Sequence, residues 1–212
     1  MAVQPPKIQA VTDLTRSPFS TIGPYFPADF VNGLDDLTTY NGQRAAGQHI
    51  LLTGRVMEAG RTPEEPQAPT RNTILEIWQP DANGTFRHPL DPRNADADPG
   101  FPGFGRVSTN ADGWYRLKTV MPGSYSEKGR QRCPHINVMI LAIGLTRRLV
   151  TTIFFSDTPQ EVSDPVLDCV ADPAAKLRLF ATRDRAMDTD GLLAYRFDVI
   201  LRGENETPFF AD

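Results

Sequence analysis

The sequence predicts an all-β protein in which two sheets pack face to face as a β-sandwich, with an extended N-terminal arm. With 212 residues, the chain is long enough to bury one core without a disulfide or a structural metal. Its 16 Gly and 19 Pro lie between short β-rich runs. About seven or eight short strands separated by turn signals are typical of a sandwich.

The strongest strand patterns are short apolar runs bounded by turn formers. Pro80 and then Asn83-Gly84 stop the second run, and Asp112-Gly113 starts the third. In the last run, apolar residues alternate with polar or small ones, which indicates one buried face. The predicted strands cover residues 49–57, 73–79, 114–120, 135–142, 148–155 and 191–202, and residues 174–181 predict a short helix or the start of a strand.

The remaining segments are rich in turn formers. Residues 1–46 predict an extended arm, and residues 47–212 predict the sandwich domain. The apolar members of the arm argue against a free disordered tail. Together with Phe209-Phe210 at the other end of the chain, they predict a large apolar interface with a partner. Loops are predicted over residues 86–106 and 159–173, and the first is long enough to indicate a function or a partner contact.

Composition excludes several classes of protein. The net charge is −4 and the basic residues are scattered, which argues against nucleic acid as a partner. Cys133 and Cys169 do not form a Cys-x-x-Cys pair, so neither a redox motif nor a zinc site is indicated. The first ten residues contain no apolar run suited to a signal peptide, and we predict a cytoplasmic protein.

A series of motifs runs in fixed order along nearly the whole chain from Ser20 onward. They are LTGRV at 52–56, LEIWQ at 75–79, NGTF at 83–86, DPGFPGFGR at 98–106, TNADGWY at 109–115, TVMPG at 119–123, PHIN at 134–137, RLVTT at 148–152, YRFDV at 195–199 and RGENETPFF at 202–210. In this order and spacing they resemble the intradiol ring-cleavage dioxygenases, enzymes of aromatic catabolism.

This resemblance implies a β-sandwich of two mixed sheets and a non-haem Fe(III) held by two Tyr and two His. The terminal segments look most like the α chain of those members that pair two homologous chains, α and β, and repeat the pair into larger assemblies. The implied reaction is intradiol cleavage of a catecholic acid with O₂ to a carboxymuconate. In such enzymes the β subunit holds the iron.

The chain departs from the family's ligand set. The family carries a His-x-His pair on one strand face, whereas here His135 is followed by Asn137, and Asn is a poor ligand for Fe(III). The loop that should supply the first Tyr has none, and the alignment places a residue near Arg93 there. Tyr125 matches the second Tyr. We therefore expect a degenerate site at Tyr125, His135 and Asn137, without iron.

The resemblance also implies residues that this chain lends to the iron-bearing cavity of its partner. It places Thr21, Gly23 and Pro24 at the mouth of that cavity, with Tyr25 close by. From the residues alone, this segment indicates only a Gly-Pro turn.

One further implied position differs from the family. Ile143 stands where the family's α chains have an Arg, so the expected guanidinium is absent from the predicted substrate-binding set. Either Arg147 or Arg148 substitutes for it, or the cavity is adapted to another ring substituent.

Two other functions compete with this prediction. One is a self-sufficient catechol-type dioxygenase with an altered substrate range, and the missing ligands argue against it. The other is a non-catalytic β-sandwich binding protein. A generic sandwich would share only strand patterning with the family, so the long ordered match through its loops argues against that alternative.

Overall fold

The computed structural model describes residues 26–60, 62, 65–157, 163–189 and 191–210, and β-strands dominate these ranges. The strands are β1 Thr39–Tyr40, β2 Gln43–Arg44, β3 His49–Glu58, β4 Ala68–Pro69, β5 Ile74–Trp78, β6 Phe104–Ser108, β7 Trp114–Val120, β8 Tyr125–Glu127, β9 Arg130–Arg132, β10 His135–Leu141, β11 Leu149–Phe155, β12 Phe180–Arg183, β13 Leu192–Arg196 and β14 Val199–Ile200. The helices are α1 Pro165–Cys169 and α2 Pro173–Leu177, with 3₁₀ turns at Ala28–Phe30, Asn94–Asp96 and Arg185–Met187. None of these helices is long and apolar enough to cross a membrane.

Ten of the described strands form one curled mixed sheet in the order β14-β3-β13-β12-β11-β10-β5-β6, with β4 and β7 also paired to β3. Its two halves are joined where β11 and β12 run parallel, at Phe154 beside Phe180. In one half, β3 lies between antiparallel β7 and parallel β13. In the other, β10 lies between antiparallel β5 and β11. The predicted all-β fold with mixed sheets is confirmed, and the two predicted sheets are continuous with each other.

The core lies between the two halves of this curled sheet. Ile50 and Leu117 come from the half around β3, and Ile77, Ile136 and Ile153 come from the half around β10, all fully buried in one cluster. Because side chains alternate along a strand, the residues between them point away from this core. On β10 the outward set therefore begins with His135 and continues through Asn137 to Met139.

Most predicted strands lie within a residue or two of the observed ones, and the differences have local causes. The predicted last strand is divided into β13 and β14 at Asp198, whose Oδ1 accepts the backbone N–H of Arg55 at 2.9 Å in place of a backbone partner. Residues 174–181 contain both of the predicted alternatives, since α2 ends at Leu177 and β12 begins at Phe180.

Two predicted loops contain regular structure. Strand β6 begins at Phe104, inside the predicted 86–106 loop, and pairs with β5. Helix α1 lies inside the predicted 159–173 loop. There Asp164 caps the helix by accepting the N–H of Val166 at 2.9 Å, and Pro165 occupies the first turn, where no N–H is needed.

The ends of the chain pack on its own body wherever they are described. Residues 1–25 of the predicted arm lie outside the described residues. Further along the arm, Leu37 and Ala45 are buried in the main core. At the C-terminus, Phe209 packs against that core, and Phe210 bonds through its N–H to the carbonyl of Val150 at 2.8 Å. These two aromatic residues therefore contact their own chain and are partly buried there, and the predicted apolar interface with a partner stays a prediction.

Candidate functional site

A cavity of about 590 Å³ opens on the outward face of β5 and β10. The segment from Phe86 to Arg93 forms one wall, and the β8–β9 hairpin, which includes Tyr125 and Arg132, forms another. Trp78 and Asn137, directly paired across β5 and β10, form the floor. All of the degenerate ligand positions predicted from the sequence lie in or beside this cavity.

His135 is the innermost of these residues and is fully buried. Its Nδ1 lies 2.6 Å from the carbonyl oxygen of Cys133, so Nδ1 carries the proton and Nε2 is an acceptor. Burial and the nearby Arg132 guanidinium lower the pKa of His135 to about 4. The imidazole is therefore neutral at physiological pH and presents Nε2 toward Tyr125.

Tyr125 covers His135 from β8, with its hydroxyl 3.3 Å from Nε2 of the histidine. Burial raises the pKa of Tyr125 to about 12, so the side chain is a neutral phenol and donates this hydrogen bond. The backbone just before β8 lies against Gly84, whose φ is +78°. A Cβ at Gly84 would lie 2.1 Å from the Ser124 carbonyl oxygen. A glycine is required at this contact because any side chain would push the Tyr125 strand away.

Arg132 is the centre of an ionic network in which Arg132 and Asp164 are buried and Glu127 is half-exposed. Its Nη2 lies 3.3 Å from Nε2 of His135, its Nε lies 3.1 Å from Asp164 and its Nη1 lies 2.8 Å from Glu127. Asp164 is almost completely buried and also accepts the N–H of Cys133 at 2.9 Å. The network ties the β9–β10 connection to the start of α1, so it fixes the orientation of the guanidinium toward the histidine.

Asn137, and Arg93 or a residue near it, are where the family resemblance predicts the two missing ligands, and both of these side chains line the cavity. The Oδ1 of Asn137 accepts a hydrogen bond from Thr152 on β11 at 3.3 Å. Arg93 donates from Nη2 to the carbonyl of Gly84 at 2.7 Å and forms an ion pair with Asp91 at 3.3 Å. The Asp91 carboxylate also accepts two backbone N–H groups, which lower its pKa although burial acts in the opposite direction.

These residues do not fit a ferric ion. The histidine nitrogen that would bind metal already accepts hydrogen bonds from a neutral phenol and a guanidinium, and a cation beside it repels a metal. Asn137 offers only an amide. Within the described ranges, no cluster of three or more His, Cys, Asp or Glu could hold a metal ion.

The structure places the other predicted site residues away from this cavity or leaves them undescribed. Thr21, Gly23, Pro24 and Tyr25 lie outside the described residues. Ile143 lies in the turn between β10 and β11, beyond the far end of β10 from His135, with 43% of its surface exposed.

Sequence reasoning missed the two residues that hold the site together, Arg132 and Asp164. A signal existed for the second, because Asp164-Pro165 is a typical start of a helix. Arg132 lies only two residues before the PHIN motif, but no sequence pattern indicates that its side chain contacts His135, three residues further along the chain.

Comparison with known proteins identifies a family. The protein-family model Dioxygenase_C, described as a dioxygenase, matches residues 21–203 of this chain. The protocatechuate 3,4-dioxygenase alpha chain of Pseudomonas putida is 35% identical over 208 residues, which cover 93% of this chain and 96% of that protein. The protocatechuate 3,4-dioxygenase beta chain of Burkholderia cepacia is 34% identical over 192 residues, which cover 87% of this chain and 79% of that protein.

Solved structures share the fold at low identity. The 3-chlorocatechol 1,2-dioxygenase of Rhodococcus opacus 1CP matches with a TM-score of 0.59 at 18% identity, covering 88% of this chain and 70% of that one. An intradiol ring-cleavage dioxygenase of Tetranychus urticae matches with a TM-score of 0.58 at 18% identity, covering 91% of this chain and 99% of that one. Because identity to the alpha and beta chains is nearly equal, the geometry of the site must distinguish between the two roles.

Proposed function

This chain belongs to the intradiol dioxygenase family, and we propose that it acts as the α subunit of a protocatechuate 3,4-dioxygenase. In this role it pairs with a homologous β subunit that holds the Fe(III). The assembled enzyme opens a catecholic acid between its two hydroxyls, consumes O₂ and releases a carboxymuconate. This chain contributes residues to the cavity of the partner and keeps a degenerate site of its own.

The observation that carries this proposal is the state of Nε2 of His135. In a chain that binds iron this nitrogen would be a ligand, but here it accepts hydrogen bonds from Tyr125 and Arg132. Asn137 replaces the second histidine on the same strand face. A self-sufficient dioxygenase would need the ligands that are missing, so the site supports the α role over that alternative.

We propose that Thr21, Gly23, Pro24 and Tyr25 reach the mouth of the partner's cavity and that Ile143 contacts it from the β10–β11 turn. Ile143 is exposed and lies beyond the far end of β10 from His135, which suits a contact with a neighbouring chain. The apolar groove around Phe104, Met139 and Val150 offers about 310 Å³ on the same outward face and suits association with a partner.

Co-expression tests the proposal directly. The chain is produced alone and together with a homologous chain that retains both Tyr ligands and the His-x-His pair, and O₂ uptake is measured with protocatechuate. We expect activity and bound iron only in the co-expressed pair, and no activity when the iron site of the partner is inactivated. Ring cleavage by this chain alone would exclude the α role.

A further inference from the structure

The described part of the N-terminal arm is joined to the body at two places. Its later part, around Leu37, is held by backbone hydrogen bonds. The N–H of Leu37 donates to the carbonyl of Lys118 at 2.8 Å, and the N–H of Lys118 donates to that of Asp35 at 2.9 Å. The segment before it, residues 26–33, which we call the arm root, meets the sheet at Arg106 on β6. The side chain of Arg106 therefore lies where the arm enters the body.

Arg106 joins the arm root to the outward face of the sheet. It lies directly opposite Glu76 of β5, and its Nε donates to Oε1 of that carboxylate at 2.9 Å. Its Nη1 donates to the carbonyl of Phe30 at 2.8 Å, and its guanidinium carbon lies 3.7 Å from the centroid of the Phe30 ring. The side chains of Arg106 and Glu76 are only 17% and 18% exposed. Cation–π contacts are stronger at such partly desolvated positions, so this contact holds the turn firmly.

The stack continues from Phe30 toward the N-terminus. The ring of Phe26 stacks on that of Phe30 with centroids 5.5 Å apart and an interplanar angle of 18°. A guanidinium is planar and rigid, so the carboxylate of Glu76 fixes the plane on which Phe30 lies. A simple ion pair at the end of the sheet would need only Glu76. The additional contacts with the ring and carbonyl of Phe30 set the direction of the chain that leads to Tyr25.

We propose that Arg106 is a positioning residue for the arm, which fixes the arm root so that residues 21–25 reach the cavity of the partner in one orientation. This inference rests on the proposed function, which assigns those residues to that cavity. Glu76, the ion-pair partner of Arg106, also lines the apolar groove that contains Met139 and Val150, so the arm root borders the surface proposed for the partner. An arm that is ordered in advance loses less conformational freedom when the partner and the substrate bind.

Hydrogen exchange of the assembly in which the chain purifies tests the anchor itself. Phe30→Leu removes the ring but not the ion pair, and Arg106→Met combined with Glu76→Gln removes both charges together, so no carboxylate is left unpaired. In both variants the amides of the arm root should exchange about tenfold faster or more, whereas the amide of Leu37 should keep its protection. The control Lys118→Met removes an exposed ion pair of the arm and should leave the arm root unchanged. Unchanged exchange of the arm root in both variants would overturn the proposal.

Steady-state kinetics of the co-expressed pair test whether the anchor serves the cavity. With iron content and association unchanged, Phe30→Leu should raise KM for protocatechuate about tenfold and leave kcat within about twofold, because the arm contacts the substrate path and not the iron. Phe30→Tyr keeps the ring and should restore the wild-type KM. Faster exchange of the arm root without a change in KM, or a loss in Phe30→Tyr equal to that in Phe30→Leu, would overturn the proposal. A wild-type pair that cleaves no ring would overturn the proposed function and with it the role at the cavity, and the exchange result distinguishes that failure from a failure of the anchor.

Discussion

The hydroxyl of Tyr125 lies 3.3 Å from Nε2 of His135, and Nη2 of Arg132 lies at the same distance from the same nitrogen. Two donors therefore converge on one acceptor whose other ring nitrogen is already bonded to the Cys133 carbonyl. At Tyr125 and His135, where the family resemblance predicts metal ligands, this chain has a hydrogen-bond network among its own side chains.

The first prediction concerns iron. The chain purified alone should contain no stoichiometric iron, because the remaining His135 nitrogen faces a guanidinium and Asn137 is a poor ligand. Iron is measured by elemental analysis together with the visible spectrum. The variant Asn137→His, which restores one ligand but leaves Arg132 and Arg93 in place, should remain without iron. A full equivalent of iron with a visible charge-transfer band in the wild-type chain would contradict the prediction.

The second prediction concerns pH. The pKa of His135 is lowered to about 4 in the folded chain by burial first and by Arg132 second, whereas an unfolded histidine titrates near 6.5. As pH falls below about 6.5, the unfolded chain takes up a proton that the folded chain refuses until about pH 4. The free energy of unfolding should therefore decrease through this window, by up to about 1.4 kcal/mol per pH unit from this group.

Urea denaturation of the wild type and of His135→Gln measures the effect. Between about pH 7 and pH 5, the wild type should lose more stability than the variant, since only the wild type can take up the proton in the unfolded state. The other titrating groups are common to both proteins and cancel in the difference. Parallel pH profiles for the two proteins would show that His135 is not held neutral by its surroundings.

How much of this could be predicted from the sequence depends on how local each feature is. The strands from His49 and from Trp114 were predicted because their apolar runs and the turn signals beside them are local features of the sequence. The Arg132–Asp164 contact joins residues 32 positions apart across the start of a helix, and no periodicity encodes it. The glycine-rich sequence around Phe104 predicts a loop because glycine is a weak strand former, but pairing with β5 makes this segment a strand.

The third prediction concerns a close contact in the core. A Cβ at Gly54 would lie 1.8 Å from the Phe197 carbonyl oxygen, which also accepts the Tyr115 hydroxyl at 2.6 Å. Because the clash is with backbone, Gly54→Ala should destabilise the chain by at least about 3 kcal/mol or prevent soluble expression.

Gly129→Ala is the matched control. Gly129 lies in the β8–β9 turn with a φ of +76° and open space where a Cβ would stand. The substitution Gly129→Ala should lower the free energy of unfolding by only about 1–2 kcal/mol, the strain of an alanine in the left-handed region. Chemical denaturation compares the two, and equal losses would show that the approach of Phe197 to β3 is not close.

The fourth prediction concerns the partner. The groove around Phe104, Met139 and Val150 leaves partly exposed apolar surface on the outward face of β5 and β10. Met139→Glu should weaken association with the homologous β chain, because burying an unpaired carboxylate is costly. The control is Leu177→Glu on α2, where the side chain is already exposed, and it should leave the association unchanged. Co-purification and light scattering measure the association. A wild-type chain that stays a stable monomer in the presence of the β chain would contradict the prediction.

The last prediction concerns Ile143 and the choice of substrate. Ile143 follows fully buried Ala142 in the β10–β11 turn, and Arg147 and Arg148 lie exposed in the same turn. At a rise of roughly 3.3 Å per residue, Ile143 lies at least about 20 Å along β10 from His135, so it does not line the cavity above Asn137.

Because the Ile143 side chain is 43% exposed, Ile143→Arg can be accommodated without repacking the core. If the turn reaches the substrate, the new guanidinium should bond the carboxylate of protocatechuate and raise kcat/KM for it about tenfold to a hundredfold. Unsubstituted catechol has no carboxylate and should be unaffected. Ile143→Gln adds length without charge and serves as the control. Steady-state kinetics of the assembled enzyme are measured on both substrates. A gain in kcat/KM for protocatechuate alone places Ile143 at the cavity. An equal effect on both substrates, or none, means that the ring substituent is recognised elsewhere.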